Sequence, residues 1–454
     1  MPSKISVQKA DGLRGSSVLN RTVVQKYGVS LIIHNLVATN IFDMIKTWFA
    51  AAVLFSGTAL MAQNFEYANV ELIEASYNGN IQIRTDDGAS VYISPEFVNG
   101  STSDPVAYVS GNAVNMAASF TIDCPVVPDS ILVRGVGPEG ITFPETLVLV
   151  QSSATTVHDF DYPATDAAII FPDDVVRRFK PFKVGWDVSF NGGTNWYPVD
   201  STENTLYVTK NSPQAETGNF KHWQTVFDIS CRNADGESLD ADVIAAVWNE
   251  FIDQSVVNWE GDSLYYYKPM NTVNTNLQSL LIFKNAQCYT YAQLFLSLIK
   301  IQGIVKTNNY VFITPINNSV CGNTVNRFIV KNWIFNVASA AGECASFPYK
   351  NTYITLLPAP YTSYDFIQED VSDGTGIPGQ NSANPSSYFN NHQISKIDGV
   401  YYDACYGVTF PTLADVPTDA FDGWGYRYTV GGTVHALFTT DLGLSSLSET
   451  ITTY

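Results

Sequence analysis

The 454-residue chain reads as a multidomain protein, an all-β sandwich followed by an α+β domain, and two observations predict this. From Asn64 to about Thr165, short runs of alternating apolar and polar residues are punctuated by Gly, Pro, Asn and Asp at about 8–12-residue intervals, the pattern of antiparallel strands joined by turns. After Ala215 the texture changes, and apolar residues begin to recur at spacings of three and four.

Residues 1–62 read as leader and signal peptide. Lys46 precedes an apolar run from Trp48 to Leu60, and small Ala62 precedes Gln63, where polar, strand-like sequence starts. The run is shorter than the ~20 residues of a membrane helix, and its flanks are those of a secretory signal. Met44 would make a natural start, with residues 1–43 arising from an upstream start codon; an extended leader is the alternative. Cleavage is expected near Ala62, giving a secreted, periplasmic or cell-surface protein. The leader holds six basic residues and two acidic ones, so the mature chain is more acidic than the whole. No later apolar run approaches membrane length, and no membrane span is expected.

Residues 63–165 form the expected immunoglobulin-like sandwich, with runs such as IQIRTDDGASVYIS and SILVRGVGPEGITF. The stretch 166–212 repeats the pattern around an Asn-Gly-Gly turn and carries Trp186 and Trp196. It reads as a small β-region, a second Ig-like domain, or the last strands of the first. Its tryptophans fit a packed core better than a sugar-stacking surface. A glycan contact through them is the other use.

In residues 215–454, Asp240 can cap a helix whose stripe is Val243, Ile244, Val247, Trp248 and Phe251. The segment AQCYTYAQLFLSLIKIQG follows, with Tyr291, Ala292, Phe295, Leu298 and Ile299 on one buried face and Gly303 as a stop. Cys288 falls in its first turn. Free backbone N–H groups and the helix dipole favour a thiolate there, and the thiolate is the nucleophilic form. The plain alternative is a small buried hydrophobe. Strands are expected near Tyr310–Thr314 and Arg327–Asn336. A Gly-, Pro-, Ser- and Asn-rich stretch from Ser372 to Ser387 reads equally as a lid and as a solvated connection.

The segment NHQISKIDGVYYDACYG reads as a hairpin with Asp398-Gly399 as a two-residue turn. That register sets Ile397 opposite Val400 and His392 opposite Cys405, with Asp403 diagonal to His392 at roughly 7–8 Å between Cα atoms. Cys288, His392 and Asp403 then supply a nucleophile, a base and an orienting acid. Cys405 is a second thiol near the same histidine, but a strand offers no helix N-terminus to stabilise its thiolate. His158 lies in the β-rich region away from the expected catalytic domain, His222 has no carboxylate at a useful offset, and Asp441 stands six residues past His435, ~20 Å along an extended strand.

The composition excludes one large class of partner. A net charge of −19 and the absence of any basic run argue against nucleic acid. The six cysteines are too few and too scattered for a disulfide scaffold, although Cys321 and Cys344 could pair. No Cys/His spacing suggests zinc, and no cofactor or metal is expected.

The two site segments together resemble the transglutaminase-like, papain-like cysteine acyl-transfer superfamily. There a Gly-Gln-Cys-Trp run opens a buried helix, and a His strand precedes an Asp strand. Gln287, Cys288 and the aromatic Tyr289 match, while Ala286 replaces the glycine, Tyr289 the tryptophan, and Gln393-Ile394 follow the histidine. The resemblance covers roughly residues 215–454. It implies a secreted cysteine-dependent amide hydrolase or acyltransferase, acting on protein or peptide substrates through Cys288, His392, Asp403 and a thioester. The Cys288 N–H would serve the oxyanion, and water or an amine would finish the cycle. The alternative is a catalytically inactive secreted module that binds protein or glycan.

Overall fold

The structure, a computed structural model, describes residues 69–126, 128–168, 170–267, 276–306, 308–316, 319–320, 323–324, 327–330, 363–367, 378–383, 385, 388–389, 391–416, 421–430, 433–439 and 446–453. The expected leader, Cys321 and Cys344 lie outside the described residues.

The N-terminal region is built from ten strands: β1 (Asn69–Asn78), β2 (Phe97–Val98), β3 (Thr102–Ser103), β4 (Val106–Val109), β5 (Asn115–Asp123), β6 (Ser130–Val136), β7 (Thr142–Leu149), β8 (Val157–Asp166), β9 (Arg177–Ser189) and β10 (Tyr197–Thr209). They form two five-stranded sheets, β3-β2-β1-β5-β8 and β4-β10-β9-β6-β7. Alternation of inward and outward residues sets the inner faces, most regularly in β5. In β5, Met116, Ala118, Phe120 and Ile122 point inward while their neighbours are partly solvated. The long β9 and β10 are inner strands of the second sheet, so the 166–212 stretch completes the first sandwich rather than forming a domain of its own.

Trp186 sits at the centre of that core, 1% exposed, with ring centroids 5.2 Å from Tyr162 and 5.6 Å from Phe120. It is no platform for a sugar. Trp196 is half-buried, and the Arg134 guanidinium stacks on its ring at 4.1 Å from the centroid.

The C-terminal region opens with helices α1 (Gln224–Asn233), α2 (Asp240–Ile252), α3 (Leu277–Phe283) and α4 (Cys288–Ile301), with the short parallel pair β11 (Tyr265–Tyr266) and β12 (Asn285–Ala286) among them. Leu239, not Asp240, occupies the N-cap of α2; Asp240 is its first helical residue, where its charge favours the helix dipole and meets Lys210 at 3.2 Å. Strands β13 (Asn308–Ile316), β14 (Ser319–Val320), β15 (Asn323–Thr324), β16 (Arg327–Val330), β17 (Ser363–Ile367), β18 (Tyr388–Phe389), β19 (His392–Ile397), β20 (Val400–Asp403), β21 (Val408–Phe410), β22 (Phe421–Val430), β23 (Thr433–Thr439) and β24 (Ser446–Thr453) follow. The sheet that matters for the site has the order β21-β20-β19-β13-β24.

Helix α4 lies between β19 and β13 on one side and α1 and α2 on the other. It is therefore buried almost all round, and the expected single stripe is too narrow: Thr290, Gln293, Ser297 and Lys300 are inside as well. Polar ties hold it there. Ser395 of β19 donates to the Ala292 carbonyl at 3.1 Å, and Ser230 of α1 to the Leu298 carbonyl at 2.7 Å. Residues 62–454 form one compact unit, because Ile83, Ala107, Val176 and Tyr207 of the sandwich share a core with the helices. Among the described residues no helix is long and apolar enough to cross a membrane.

Candidate active site

Cys288 owes its position to a chain reversal. β12 ends at Ala286, Gln287 stays extended (φ −96°, ψ 178°) as the N-cap, and Cys288 is the first helical residue of α4. A residue at that position has no intrahelical carbonyl for its amide, so the Cys288 N–H points out of the helix end. The side chain is 4% exposed.

His392 is the first residue of β19, opposite Ile313 of β13. The hairpin that carries it turns at Asp398 (φ 48°) and Gly399 (φ 91°), the two left-handed residues a tight primed turn requires. Ile397 faces Val400, Lys396 faces Tyr401 and Ser395 faces Tyr402. There the expected register ends. The chain turns through residues 404–407, with the Tyr406 and Gly407 amides donating to the Asp403 carbonyl at 3.3 and 2.9 Å. Cys405 is thus a turn residue, not the cross-strand partner of His392. Gly407 (φ 68°) closes this turn so tightly that a Cβ would lie 2.2 Å from the Phe251 carbonyl oxygen.

The turn leaves Asp403 on the histidine. His392 Nε2 and Asp403 Oδ2 are 2.7 Å apart, and Oδ1 accepts the Cys405 amide at 3.1 Å. Both residues are 3% exposed. Burial alone would push the imidazole down, but the charge and hydrogen bond of Asp403, then those of Cys288, outweigh it and raise it to about 10. Nδ1 is buried and makes no hydrogen bond of ordinary geometry. With Nε2 held by the carboxylate, Nδ1 is the atom left for the thiol. The structure therefore brings the three sequence-predicted residues together.

Cys405 is of a different kind. Burial first, then its neighbours Asp403 and Cys288, keep its thiol well above the usual range, so it stays protonated. His392, Asp403 and Cys405 offer ligand atoms within 4.8 Å of one another and could in principle hold a cation. The 2.7 Å contact argues otherwise. Two ligands on one zinc, bound at ~2.0–2.1 Å, stand roughly 3.3 Å apart, so this is a hydrogen bond rather than a ligand pair.

Aromatic rings wall the site. Phe389 and Tyr406 have ring centroids 5.7 and 6.0 Å from His392; Tyr266 lies 5.4 Å from Tyr406 and 5.9 Å from Tyr291. Behind them is a residue that sequence reasoning missed. Residues 378–383, part of the stretch expected to be a lid or a solvated connection, are instead inserted between α2, β11 and the 404–407 turn. Gln380 is fully buried, and its Nε2 donates to the carbonyls of Phe251 (2.8 Å) and Ala404 (3.0 Å). Its backbone N–H donates to Cys405 O at 2.9 Å, and its carbonyl accepts from the Tyr266 amide at 2.9 Å. Gln380 clamps the turn that presents Asp403. A Gly- and Asn-rich run gives no periodic signal of such burial.

The other described histidines are engaged elsewhere. His158 Nδ1 accepts the Ser153 amide at 3.0 Å, and His222 Nε2 meets the Gln214 carbonyl at 3.1 Å. His435 belongs to β23, paired through its backbone with Ile367 and Tyr428. No model of a known protein family and no curated protein matches the chain, so the chemistry of the site has to be read from its atoms.

Proposed function

We propose that this chain is a secreted, transglutaminase-like, cysteine-dependent amide hydrolase or acyltransferase that acts on protein or peptide substrates through Cys288, His392 and Asp403. One observation carries the reading. A buried imidazole is held by a carboxylate through Nε2 at 2.7 Å while Nδ1 has no partner but the thiol side, where Cys288 heads a helix. A structural histidine would have both nitrogens engaged.

In the cycle, His392 takes the Cys288 proton, and an imidazole raised to about 10 holds it at neutral pH. The sulfur attacks an amide carbonyl and an S–C bond forms as the C=O electrons move to oxygen. The oxyanion collapses, the C–N bond breaks, and the amine leaves with the proton that His392 returns. Asp403 orients the ring and balances the imidazolium without being protonated itself. Water or a primary amine then attacks the thioester, giving hydrolysis or cross-linking.

Iodoacetamide labelling at neutral pH, read by peptide mass spectrometry, tests the reading. Cys288 should react far faster than Cys124, Cys231 or Cys405, and Cys288→Ala should abolish Cys-dependent amide turnover with the fold retained. Slow labelling at Cys288 and no loss in Cys288→Ala would leave the inactive binding module as the better account. Secreted material should begin near Gln63 on N-terminal sequencing; a chain starting at Met1 would overturn the export reading.

A further inference from the structure

An acyl-transfer centre of this kind needs more than one donor aimed at the developing oxyanion, and the Cys288 N–H is one. The pairing of β11 with β12 points to the other. Tyr265 lies opposite Asn285 and Tyr266 opposite Ala286, so the parallel register carries Tyr267 alongside Gln287, one residue before the nucleophile. The Tyr267 amide donates to the Ala286 carbonyl at 3.1 Å, which fixes it there. At that residue the backbone leaves the strand for φ +49°, a left-handed conformation that a bulky side chain rarely adopts. Such outliers cluster where a side chain must be aimed.

The ring of Tyr267 is half-buried, 5.1 Å from Tyr266 and 5.9 Å from Phe389, whose own ring is 5.7 Å from His392. Its surroundings suit a donor. Burial, followed by the neighbouring Cys288, keeps the phenol protonated, and the Gln287 carboxamide lies within hydrogen-bonding reach of its hydroxyl. Tyr406 and Tyr266, by contrast, cluster with Cys405 beside Asp403.

We infer that the Tyr267 hydroxyl is a catalytic residue of this centre, the second hydrogen-bond donor to the oxyanion, acting with the Cys288 N–H. The inference rests on the acyl-transfer reading above. As the carbonyl carbon gains its S–C bond, the oxygen that takes the electron pair accepts from both donors; on collapse the pair returns to the C=O. Tyr267 gives up no proton in either direction.

Two reagents separate this from the triad itself. Iodoacetamide alkylates a thiolate by displacing iodide from a saturated carbon and forms no oxyanion, whereas p-nitrophenyl acetate acylates it through one. Tyr267→Phe keeps the ring. It should alkylate at Cys288 at the wild-type rate and acylate, followed by p-nitrophenol release and the mass of the Cys288 peptide, about 100-fold more slowly. Equal acylation in both proteins would overturn the role of Tyr267 and leave the triad standing. A parallel fall in both rates would also overturn it, since Tyr267 would then be positioning the sulfur. A wild-type protein that reacts with neither reagent at Cys288 would sink the triad and this inference together. Should Tyr267→Phe fail to fold, Gln287→Met keeps Tyr267 and removes its neighbour: a several-fold loss in acylation alone supports the donor role, and no loss overturns it.

Discussion

Ionisable side chains are buried in both halves of the molecule, but the two halves treat them differently. In the sandwich, buried Glu96 accepts from the Tyr77 amide and from Asn80 Nδ2, each at 2.9 Å, and His158 accepts from Ser153. In the α+β region, His392 keeps one nitrogen open, and the hydroxyls of Tyr266, Tyr291 and Tyr406 around it make no hydrogen bond of ordinary geometry. The sandwich has open groups too, among them the Trp186 indole N–H and Arg177 Nε, but the latter lies 3.3 Å from Asp235 Oδ1. The difference teaches where to look for chemistry. A buried polar group with all its partners is part of the scaffold, and one left open is a candidate for a reaction.

The contrast can be broken at several points. The largest effect should come from Asp403→Asn, which removes the carboxylate that offsets burial of the imidazole. Turnover should fall about 10²–10⁴-fold while far-ultraviolet circular dichroism stays unchanged. The same variant tests the pH dependence. Because the folded imidazole is raised above its ordinary value, its stabilisation is fully present below about pH 6.5 and is lost as pH rises toward about 10. Urea titrations at pH 6, 8 and 10 should show that decline in the wild type and not in Asp403→Asn.

Trp186→Ala should cost about 3–5 kcal/mol through the cavity it leaves in the sandwich core. Because Ile83, Ala107, Val176 and Tyr207 tie the sandwich into the core of the helices, unfolding should remain a single transition, and iodoacetamide access to Cys231 should rise at the same urea concentration as sandwich fluorescence changes. Two separate transitions would split the halves. Gln380→Ala leaves the Phe251 and Ala404 carbonyls without their donor, and should cost about 1–3 kcal/mol while slowing turnover. Glu96→Gln is the matched control: a stability loss of similar order with kcat unchanged would sharpen the contrast, and a drop in kcat would undo it. The smallest change is expected for Trp196→Ala, about 0.5–1 kcal/mol from the lost stack with Arg134, and no change in retention on immobilised glycans.

What is legible in the sequence follows from the range of the forces involved. The Asp398-Gly399 turn is readable because its left-handed backbone restricts residue choice locally, and the extent of α4 is readable from its apolar spacing and from Gly303 just past its end. The contact of His392 with Asp403 is readable as a diagonal across that hairpin. The position of Cys405 is not, because the 404–407 turn is imposed from outside, by Phe251 against Gly407 and by Gln380 on Ala404 and Cys405. The merging of the 166–212 stretch into one sandwich depends on long-range pairing of β9 with β6, which strand pattern alone does not encode. Burial on every side of α4 is likewise set by partners far along the chain.

The seam between the two halves has a consequence for how such a chain can be inherited. Tyr207 of β10 stacks on Phe227 of α1 at 5.8 Å and donates to Asp228, which also takes Arg178 of β9 at 2.7 Å. A recombination event cutting near residue 212 would strip Asp228 of Arg178 and Tyr207 while leaving it only Arg232, and would bare apolar faces on both fragments. The two folds are thus transmissible only as a pair. Gene fusions that carry this site to new hosts should carry the sandwich with it, and a library of chimaeras joined at that seam should yield aggregates rather than exchanged specificities.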